Sequence, residues 1–582
     1  MPGSSRSFVS ALSMGRIEHS LILPFPEMDS EQAELVRSVI DAFDEMLATH
    51  TDDFSTWDRA GELPAAFIEE LKQFGAFGLV IPEEHGGMGF GATAYSRTLQ
   101  QLGRHDASVA VTVGAHSSIG MRGLLLFGTD EQKERYLPAL ASGEMIAAFC
   151  LTEPGAGSDA ASVRTTAVRD GDDWILDGDK VWITNGGIAD FFTVFAKTGS
   201  PDQRRGMSAF LVTKDMPGVR VSEHEDKMGL RASSTTSVYF DGVRVPGANL
   251  LGTENQGFKV AMQILNSGRT GLGGGAVGGI KRLIEHATAH ANTREQFGVP
   301  IAQFGMIKAK IASMMVDCYA AESAVNVVNG LIDAGHEEYA VEAAISKVFA
   351  TEALWSAADE ALQIAGGTGY MAEYPYERVV RDSRINRIFE GTNEVLRLFI
   401  ALTTLNDVGQ ELKDLNKSLR GIFDDPIKGF GLLGDYARRR ASLATGLGQG
   451  APTFTGAAEE LSVEVTAYEG AVRGLASAVD RVLRKHGKNI IGKQFATGRL
   501  ANAMIDLFVL AAVISRVSTA IQAQGADAVQ PQIEILRAFQ RRALARVQAH
   551  FDAIDNNDDE RIKAVADHAL ELGRYPWDNL PS

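Results

Sequence analysis

The sequence places one carboxylate in an unusual setting for a charge. Glu390 lies between Phe389 and Gly391 in the segment Arg387-Ile388-Phe389-Glu390-Gly391-Thr392-Asn393. A carboxylate held against apolar side chains resists ionisation, so its pKa rises toward the range in which a general base removes a weakly acidic proton from carbon. Gly391 would allow the backbone and a ligand to approach closely. Glu390 is therefore the candidate base, and a solvated loop glutamate is the alternative.

A turn and an aromatic corner could together bind a ligand. The turn Leu151-Thr152-Glu153-Pro154-Gly155-Ala156-Gly157-Ser158 combines hydroxyls with unhindered backbone N–H groups, which suits an anionic or polar ligand edge. An ordinary Pro-Gly turn is an equally good interpretation of this segment. Trp182 and Thr184 place an aromatic plane beside a hydroxyl, the pairing expected around a stacked heteroaromatic ring.

One glycine motif matches the pattern of a dinucleotide-binding site, but its surroundings in the sequence do not. Gly273-Gly274-Gly275-Ala276-Val277-Gly278 satisfies the dinucleotide-binding pattern G-x-G-x-x-G, but it follows a helical segment and has no preceding strand. Small residues that allow close helix packing are the better interpretation. The sequence contains no Walker lysine motif, no His-Glu metal motif and only two cysteines, Cys150 and Cys318. We therefore expect no metal, no disulfide framework and a reducing compartment.

Length and charge limit the class of protein. The 582 residues suffice for three or four compact units, and the formal net charge is −18 with a calculated pI of about 5.2. A protein that binds nucleic acid would show a basic balance or a basic face, so we expect no such partner. Residues 1–17 lack the continuous apolar run of a secretory signal, although a degenerate organelle presequence stays open. Residues 507–514 are apolar but too few for a membrane span, and they predict a buried helix.

Periodicity divides the chain into helical parts around one β-rich part. Apolar residues recur every three to four positions from about residue 30 to 145 and again from about 257 onward. Short β-prone runs fill residues 150–252, where Asp177-Gly178 and Asp241-Gly242 each predict a turn between two strands. The glycines of residues 446–456 predict a flexible loop within a further helical unit. The pattern predicts a mostly α protein with an inserted β-domain.

Five segments together resemble one enzyme family. They are Phe149-Cys150-Leu151-Thr152-Glu153-Pro154-Gly155-Ala156-Gly157-Ser158, then Trp182-Ile183-Thr184-Asn185-Gly186-Gly187, then Lys227-Met228-Gly229 with Phe240-Asp241-Gly242-Val243-Arg244-Val245-Pro246, then Arg294-Glu295-Gln296-Phe297-Gly298, and last Gln363-Ile364-Ala365-Gly366-Gly367 through Glu373-Tyr374-Pro375 to Glu390-Gly391-Thr392-Asn393. From about residue 30 to 405 the chain is similar to the acyl-CoA dehydrogenases, flavoproteins that make a trans-2-enoyl thioester. The resemblance implies an N-terminal tail (1–27), an N-terminal helical domain (28–148), a middle β-barrel-like domain (149–258), a C-terminal helical bundle (259–405) and an additional helical domain (406–582).

The resemblance also implies where FAD and the substrate bind. The residues that match FAD contacts are Phe149, Leu151, Thr152, Gly157, Ser158, Trp182, Ile183, Thr184, Phe304, Thr392 and Asn393, while Arg294, Phe297, Gln363, Gly366 and Gly367 match contacts to the FAD of a neighbouring subunit. The residues that match substrate contacts are Ser158, Asn266, Arg269, Glu390 and Gly391. Glu390 matches the base that removes the α-proton while the β-hydrogen leaves as hydride to the flavin. One branch of the family carries its base just before the arginine that here is Arg269, but Gly268 occupies that position.

The sequence beyond Leu405 resembles the very-long-chain branch of the family. Members of that branch are dimers with an additional domain, part of which docks on a membrane. Residues 421–447 mix leucines with basic residues, which predicts an amphipathic segment on anionic lipid, with a packed helix as an equal alternative. Gly114-Ala115 stands where medium-chain relatives carry bulkier side chains at the tunnel floor, which favours long acyl chains.

The resemblance therefore implies FAD-dependent dehydrogenation of a long- or very-long-chain acyl-CoA, the first step of fatty-acid β-oxidation, with electrons passed to an electron-transfer flavoprotein. We expect a homodimer in the bacterial cytoplasm or the mitochondrial matrix, peripheral to the inner membrane if residues 421–447 bind lipid. An acyl-CoA oxidase and a non-enzymatic assembly scaffold on the same fold are the alternatives. Peroxide release in air would reveal the first, and a lack of bound FAD would reveal the second.

Overall fold

The computed structural model describes residues 7–199, 206–420 and 452–577, and its first part is helical. The helices are α1 (Phe8–Ser13), α2 (Ser30–Ala48), α3 (Asp53–Ala60), α4 (Ala65–Gln73), α5 (Ala92–His105), α6 (Ala107–Gly114), α7 (Arg122–Phe127) and α8 (Asp130–Ser142), with a π-helical turn (Ala115–Gly120) before α7. Polar residues set where some of them begin. Asp29 accepts a hydrogen bond from the Gln32 N–H before α2, and Thr129 and Gln132 form a capping box before α8.

The middle part is a mixed sheet, as the predicted fold class requires. Its strands are β1 (Ala147–Cys150), β2 (Thr166–Asp170), β3 (Asp173–Thr184), β4 (Phe191–Lys197), β5 (Met207–Thr213), β6 (Val219–Val221), β7 (Thr235–Val245) and β8 (Leu250–Leu251). Their spatial order is β6-β7-β3-β2-β4-β5-β8, and β1 pairs in parallel with β4. Alternate residues of β4 enter different cores, because Phe191 and Phe195 pack with N-terminal helices while Phe192 and Val194 pack with other strands.

The two turns predicted from Asp-Gly pairs are wrong. β3 and β7 each run through their Asp-Gly pair as one strand, and the two strands pair antiparallel. Their register shifts between Leu176 and Gly178, where Gly178 has a φ of +149° and an added Cβ would lie 2.5 Å from Thr165 Oγ1. Asp177 accepts a hydrogen bond from the Gly242 backbone N–H at 2.8 Å. The two Asp-Gly pairs therefore form a β-bulge between two long strands, and glycine is common at bulges as well as at turns.

A helical bundle follows the sheet. Its elements are α9 (Gly257–Thr293), a hairpin of β9 (Glu295–Gln296) and β10 (Val299–Pro300), α10 (Gly305–Asp333), α11 (Ala340–Ala365), α12 (Gly367–Tyr370), α13 (Pro375–Arg384) and α14 (Asn393–Arg420). The rejected dinucleotide motif lies inside α9, so that rejection is confirmed. An added Cβ at Gly274 would lie 2.5 Å from Ser96 Oγ, and one at Gly278 would lie 2.0 Å from the Gln100 carbonyl oxygen. These glycines allow α9 to contact α5 backbone to backbone.

The additional domain contains α15 (Ser462–His486), α16 (Gln494–Gln524), α17 (Gln530–Asp555) and α18 (Asp559–Leu572). Residues 507–514 of α16 are fully buried, as the sequence predicts. α16 and the stretch Ala107–Phe127 are long and apolar enough to cross a membrane, but 83% and 61% of their apolar windows are buried inside the protein. Burial of this kind is typical of core helices. Residues 421–447, the predicted lipid-binding segment, lie outside the described residues.

The N-terminal segment packs against the additional domain. α1 is buried throughout, and the rings of Phe8 and Phe508 meet edge to face at 6.1 Å. Further along, the Phe25 N–H donates to Thr519 Oγ1 at 2.8 Å. The structure therefore differs from the predicted tail of residues 1–27, because the apolar side chains of α1 find a place in the core of the additional domain.

Candidate functional site

The candidate base lies on a constrained loop between α13 and α14. Glu390 has a φ of +57°, and Gly391 has a φ of +90°. A non-glycine residue in the left-handed region costs on the order of 1 kcal/mol or more, and such residues concentrate at functional sites. An added Cβ at Gly391 would lie 3.1 Å from Leu396 Cδ2, so the position has little space for a side chain.

One carboxylate oxygen of half-buried Glu390 is itself buried and has no partner in the described part of the chain. Among the described residues, no hydrogen-bond partner reaches its Oε2 atom. Burial raises the pKa of Glu390, and the positive charges of Arg269 and Lys347 oppose that rise only in part. The structure thus agrees with the raised pKa expected from the apolar neighbours in the sequence. A carboxylate in this state binds a proton more strongly than one in water, which is the property that a general base needs.

Two buried cations hold the loop by its backbone carbonyls. Arg269 donates from Nε to the Glu390 carbonyl oxygen at 3.3 Å and from Nη1 to Asn266 Oδ1 at 2.7 Å. Lys347 donates from Nζ to the Gly391 carbonyl oxygen at 2.9 Å. Burial lowers the pKa of Arg269 from its usual range and lowers the pKa of Lys347 to about 7. The two cations therefore set the position of the loop as well as the field around Glu390.

A cavity of about 660 Å³ opens in front of Glu390. Thr184 lines it, and Gly114 and Ala115 line it as their small size in the sequence predicts. One face of α9 forms its floor through Gly268, Gly271, Gly275 and Gly279. An added Cβ at Gly268 would lie 3.3 Å from Glu390 Oε2, so this end of the floor touches the base. The helix rises by about 16 Å from Gly268 to Gly279, which gives the length of the glycine-lined part.

The α9 side of the cavity ends in charged residues beyond Gly279. Arg104 and Arg282 line this end, and both pair with the carboxylate of Glu285, at 2.9 and 3.2 Å. Along α9 the cavity is therefore lined by glycines and apolar residues from Gly268 to Gly279 and then by Arg104 and Arg282, which form an ion-paired rim with Glu285.

The turn at residues 151–158 is anchored by a buried ion pair. Glu153 is 4% exposed and accepts hydrogen bonds from Lys180 Nζ at 2.7 Å and from the backbone N–H groups of Arg164 and Thr165 at 2.5 and 3.0 Å. Lys180 is fully buried. Burial alone would raise the pKa of Glu153, but the charge of Lys180 and these hydrogen bonds outweigh it, so the pKa lies below its ordinary value.

The top of this turn and the end of β3 form an open surface. An added Cβ at Gly155 or Gly157 would meet no atom within 4 Å, so the backbone there is accessible to a ligand. Trp182 is 64% exposed and has a φ of +58°, at a point where the register of β3 and β7 shifts. An accessible backbone beside an exposed indole, two residues from the Thr184 hydroxyl, fits a flat heteroaromatic ring with polar edges, and a flavin has that chemistry.

Other predicted FAD residues lie partly in the core. Leu151 and Ile183 are buried, and the half-buried ring of Phe149 meets Phe195 at 5.1 Å. Thr152 is half-buried, and its carbonyl oxygen accepts a hydrogen bond from the Val181 N–H at 3.0 Å. These residues join the turn to the sheet. Contacts from their side chains to FAD stay predictions.

The residues predicted to reach a neighbouring subunit are exposed. Phe297 is 95% exposed with a φ of +55°, and its ring meets that of Phe304 edge to face at 6.1 Å. Arg294, Gln363, Gly366 and Gly367 are exposed as well. The nearby chain also exposes large apolar side chains, with Met306 at 80% and Tyr370 at 75%. Exposed apolar groups of this size are typical of an interaction surface.

The structure does not bring every predicted residue to the cavity. Ser158 is exposed on the turn and does not line the cavity. Thr392 accepts a hydrogen bond from the Val395 N–H at 3.2 Å and so caps α14. Asn393 is fully buried, and its side chain bonds to groups inside the protein. FAD contacts by Thr392 and Asn393 therefore stay predictions as well.

Sequence reasoning missed three buried charged residues at the site, and each left a signal. In the sequence, Glu153 stands out only as part of the turn at residues 151–158. Alternation along β3 places Lys180 on the same buried face as Trp174 and Leu176. Lys347 is the one cation in α11, where small apolar residues surround it in sequence, and this pattern likewise indicates a buried charge.

The chain matches four domain descriptions. Those described as "Acyl-CoA dehydrogenase, N-terminal domain", "middle domain" and "C-terminal domain" match residues 29–144, 148–243 and 255–405. The one described as "ACAD9/ACADV, C-terminal domain" matches residues 459–575. A bovine protein named very long-chain specific acyl-CoA dehydrogenase, mitochondrial, is 42% identical over 98% of this chain and 88% of its own length.

Solved structures show the same division. An acyl-CoA dehydrogenase from Bacillus anthracis, complexed with FAD, has a TM-score of 0.81 and 32% identity and covers 98% of this chain and 96% of its own. Butyryl-CoA dehydrogenase from Megasphaera elsdenii has a TM-score of 0.63 and 35% identity. It covers 65% of this chain but 99% of its own, so the shorter enzyme lacks a counterpart for about a third of this chain.

Proposed function

The chain belongs to the acyl-CoA dehydrogenase family and is an FAD-dependent oxidoreductase, and we propose that Glu390 is its catalytic base, acting on long-chain acyl-CoA. The observation that carries this proposal is that Glu390 lines the cavity while its Oε2 atom is buried and has no hydrogen-bond partner among the described residues. A buried acceptor without a hydrogen bond lowers the stability of the folded protein. An unpaired acceptor of this kind therefore calls for an explanation, and a role in the reaction provides one.

The α-proton of a thioester is too weak an acid for a carboxylate in water. Burial raises the pKa of Glu390 and so reduces the mismatch, and a hydrogen bond to the thioester carbonyl would stabilise the charge that develops there. Among the described residues, no acceptor binds the Glu390 backbone N–H, which leaves that donor for the carbonyl. In the reaction, the α-carbon loses its proton to the Glu390 carboxylate, and a carbon–carbon double bond forms as the β-hydrogen leaves with its electron pair.

FAD supplies the acceptor for that hydride when it is bound. Trp182 and Thr184 would hold its ring, and the backbone of Gly155 and Gly157 would hold its polar edge, because the indole and this backbone are accessible and Thr184 lines the cavity. The buried Glu153 carboxylate holds the turn from the other side. Arg269 with Asn266 supports the base loop on the substrate side, and the exposed Ser158 hydroxyl suits the arm that links the thioester to CoA.

The preference for long chains is supported by the shape of the cavity. Four glycines on one face of α9 leave room along about 16 Å of the floor, where Leu272 and Ala276 are the side chains of that stretch that also line the cavity. This length suits an extended chain of on the order of ten or more methylenes. Each buried methylene contributes about 0.8 kcal/mol, or about fourfold in affinity, until the chain reaches the ion-paired rim. Affinity should therefore increase with chain length and then level off.

The expected partners also belong to this proposal. The exposed surface with Phe297 and Tyr370 is suited to a second copy of the chain, as in a homodimer that brings Arg294 and Gln363 to the partner's FAD. An electron-transfer flavoprotein is the proposed electron acceptor, and the proposed location is the cytoplasm of a bacterium or the mitochondrial matrix. The bovine relative is named as mitochondrial.

The test is an anaerobic titration of the purified, FAD-loaded protein with acyl-CoAs from short to very long chains. Loss of the oxidised flavin band, at about 450 nm, reports transfer of hydride to the cofactor. We expect the strongest and fastest loss with long chains. A bound flavin that no acyl-CoA reduces would contradict the proposal and favour a scaffold. Rapid peroxide release when air is admitted would favour an oxidase.

A further inference from the structure

A buried lysine holds the segment that carries Glu390. Lys347 lies on α11 and is 0% exposed. Its Nζ donates to the Gly391 carbonyl oxygen at 2.9 Å and to Asn393 Oδ1 at 2.8 Å. Burying an ammonium group costs several kcal/mol unless it is paired or hydrogen-bonded. An apolar residue would pack more favourably in α11, so the position of this charge calls for a role beyond packing.

A series of hydrogen bonds continues from Asn393 into the additional domain. Asn393 Nδ2 donates to Glu352 Oε1 at 3.1 Å, and Glu352 accepts two hydrogen bonds from Arg397, at 2.8 and 2.9 Å. Arg397 Nε donates to Asn502 Oδ1 at 2.7 Å. Asn502 lies on α16, the central helix of the additional domain. Every link has the length of an ordinary hydrogen bond, so the additional domain is connected to the base loop without a gap.

The charges around Lys347 come from several elements. Lys347 faces Glu390 on the loop, Arg269 on α9, Glu352 on its own helix and the exposed Glu394 on α14. Arg387 faces Glu352 from the other side. Burial lowers the pKa of Lys347, and the charge of Glu390 opposes that change. Because only Arg269 and Lys347 place positive charge on Glu390 in the described residues, removal of Lys347 would raise the pKa of Glu390 further.

We propose that Lys347 is a positioning residue for Glu390, and that the additional domain fixes the base loop through Asn502, Arg397 and Glu352. The inference rests on the proposed role of Glu390. It gives the additional domain a direct part in setting the geometry of the reaction, besides any contact that the domain makes with lipid or protein.

The charge of Lys347 is tested with Lys347→Met in the FAD-loaded protein. Flavin reduction by palmitoyl-CoA is followed by stopped flow as a function of pH, with the unsubstituted protein alongside. Glu390 must be ionised to act as base, so the rate falls on the acid side of its pKa. In Lys347→Met that fall should move to higher pH by about one unit or more, because Glu390 loses a positive neighbour. Acid limbs that coincide would overturn the electrostatic role.

The connection to the additional domain is tested far from the cavity with Asn502→Leu. Its control is Thr497→Val on the same helix, since the Thr497 hydroxyl bonds only to carbonyls of its own first turn. We expect Asn502→Leu to keep its FAD and to be reduced on the order of tenfold more slowly, while Thr497→Val keeps the ordinary rate. Amide hydrogen exchange, read by mass spectrometry, should be faster in residues 388–396 of Asn502→Leu.

The two failures are distinguishable. If no acyl-CoA reduces the unsubstituted protein, the proposed function fails, and the exchange measurement still decides whether Asn502 orders the loop. An unchanged rate and unchanged exchange in Asn502→Leu would overturn the domain connection while leaving the proposed function intact.

Discussion

Two glutamates at this site, the buried Glu153 and the half-buried Glu390, have opposite surroundings. Glu153, under the turn, accepts hydrogen bonds from Lys180 and from two backbone N–H groups, and its pKa lies below the ordinary value. Glu390, at the cavity, has an oxygen without a partner among the described residues, and its pKa lies above the ordinary value. Both oxygens of Glu153 accept hydrogen bonds from the protein, whereas Glu390 lines the cavity and keeps one oxygen without such a bond in the described part of the chain. The comparison separates the glutamate that holds the turn from the glutamate that we propose as the base.

The largest effect should follow from removing the acid–base function of the second glutamate. Glu390→Gln keeps the shape of the side chain but cannot accept the α-proton, so flavin reduction by palmitoyl-CoA should slow by at least a factor of about 10² to 10⁴. Stopped-flow absorbance measures the rate, and the spectrum of the purified variant shows whether FAD is retained. The exposed Glu134→Gln on α8 is the matched control and should react at the ordinary rate.

If Glu390→Gln were reduced as fast as the unsubstituted protein, Glu390 would not be the base. The contrast between the two glutamates would then concern stability alone.

The second effect tests the holding role of the first glutamate. Lys180→Met leaves the Glu153 charge buried without its ion-pair partner, which should cost about 3–5 kcal/mol in the free energy of unfolding. The turn should also loosen and release FAD more readily. Denaturant titration measures the first quantity, and the retained flavin absorbance after gel filtration measures the second. The double variant Lys180→Met with Glu153→Leu should recover part of the loss, because it buries no unpaired charge.

A surface pair in the same sheet provides the control for Lys180. Arg220 and Asp241 are both exposed and lie 2.6 Å apart. Arg220→Met should change the free energy of unfolding by less than about 1 kcal/mol. Equal losses in Arg220→Met and Lys180→Met would contradict the role given to burial.

A third effect tests why Glu390 faces a cavity at all. Gly275 lies on the floor, and an added Cβ there would meet only the Leu99 carbonyl oxygen, at 4.0 Å. Gly275→Leu should block the space about 10 Å along α9 from Gly268. Values of kcat/KM for palmitoyl-CoA should fall on the order of tenfold or more, with little change for butyryl-CoA. Gly275→Ala, which adds one carbon, should show a smaller shift of the same sign, and an unchanged chain-length profile in Gly275→Leu would place the acyl chain elsewhere.

The smallest effect concerns stability and has opposite signs at the two glutamates. The pKa of Glu390 is raised in the folded protein, so its ionisation costs stability above the ordinary pKa of about 4.3, fully so above the raised value. Glu390→Gln should therefore raise the Tm by about 1–3 °C at neutral pH, with a smaller gain in acid. The pKa of Glu153 is lowered, so its contribution is present above about 4.3 and is lost as the pH falls through the lowered value. Glu153→Gln should lower the Tm at neutral pH, and calorimetry that showed the same sign for both variants would remove the distinction between them.

The sequence predicted the fold class, which is confirmed, and it made Glu390 the candidate base, which stays a prediction. Helical periodicity marked the helices, and a short apolar run in residues 507–514 marked a helix that the structure buries completely. A charge between an apolar side chain and a glycine drew attention to Glu390, whose pKa the structure indeed raises. The Asp-Gly turns failed because turn chemistry is local, whereas the bulge between β3 and β7 depends on pairing between residues far apart in the chain.

The sequence by itself determined which residues could take part in chemistry. Residue types, spacing and periodicity place glutamates, hydroxyls and glycines in ordered segments. Only the tertiary structure decided what each of them does. Glu153 and Glu390 are the same amino acid beside a glycine-rich turn, and what separates them is the neighbour that folding brings to each. Lys180 on β3 donates a hydrogen bond to the Glu153 carboxylate. Lys347 instead donates to the Gly391 carbonyl oxygen and, within the described residues, makes no hydrogen bond to the Glu390 carboxylate. Pairing and burial set a carboxylate's pKa, and both are properties of three-dimensional contacts that sequence spacing does not contain.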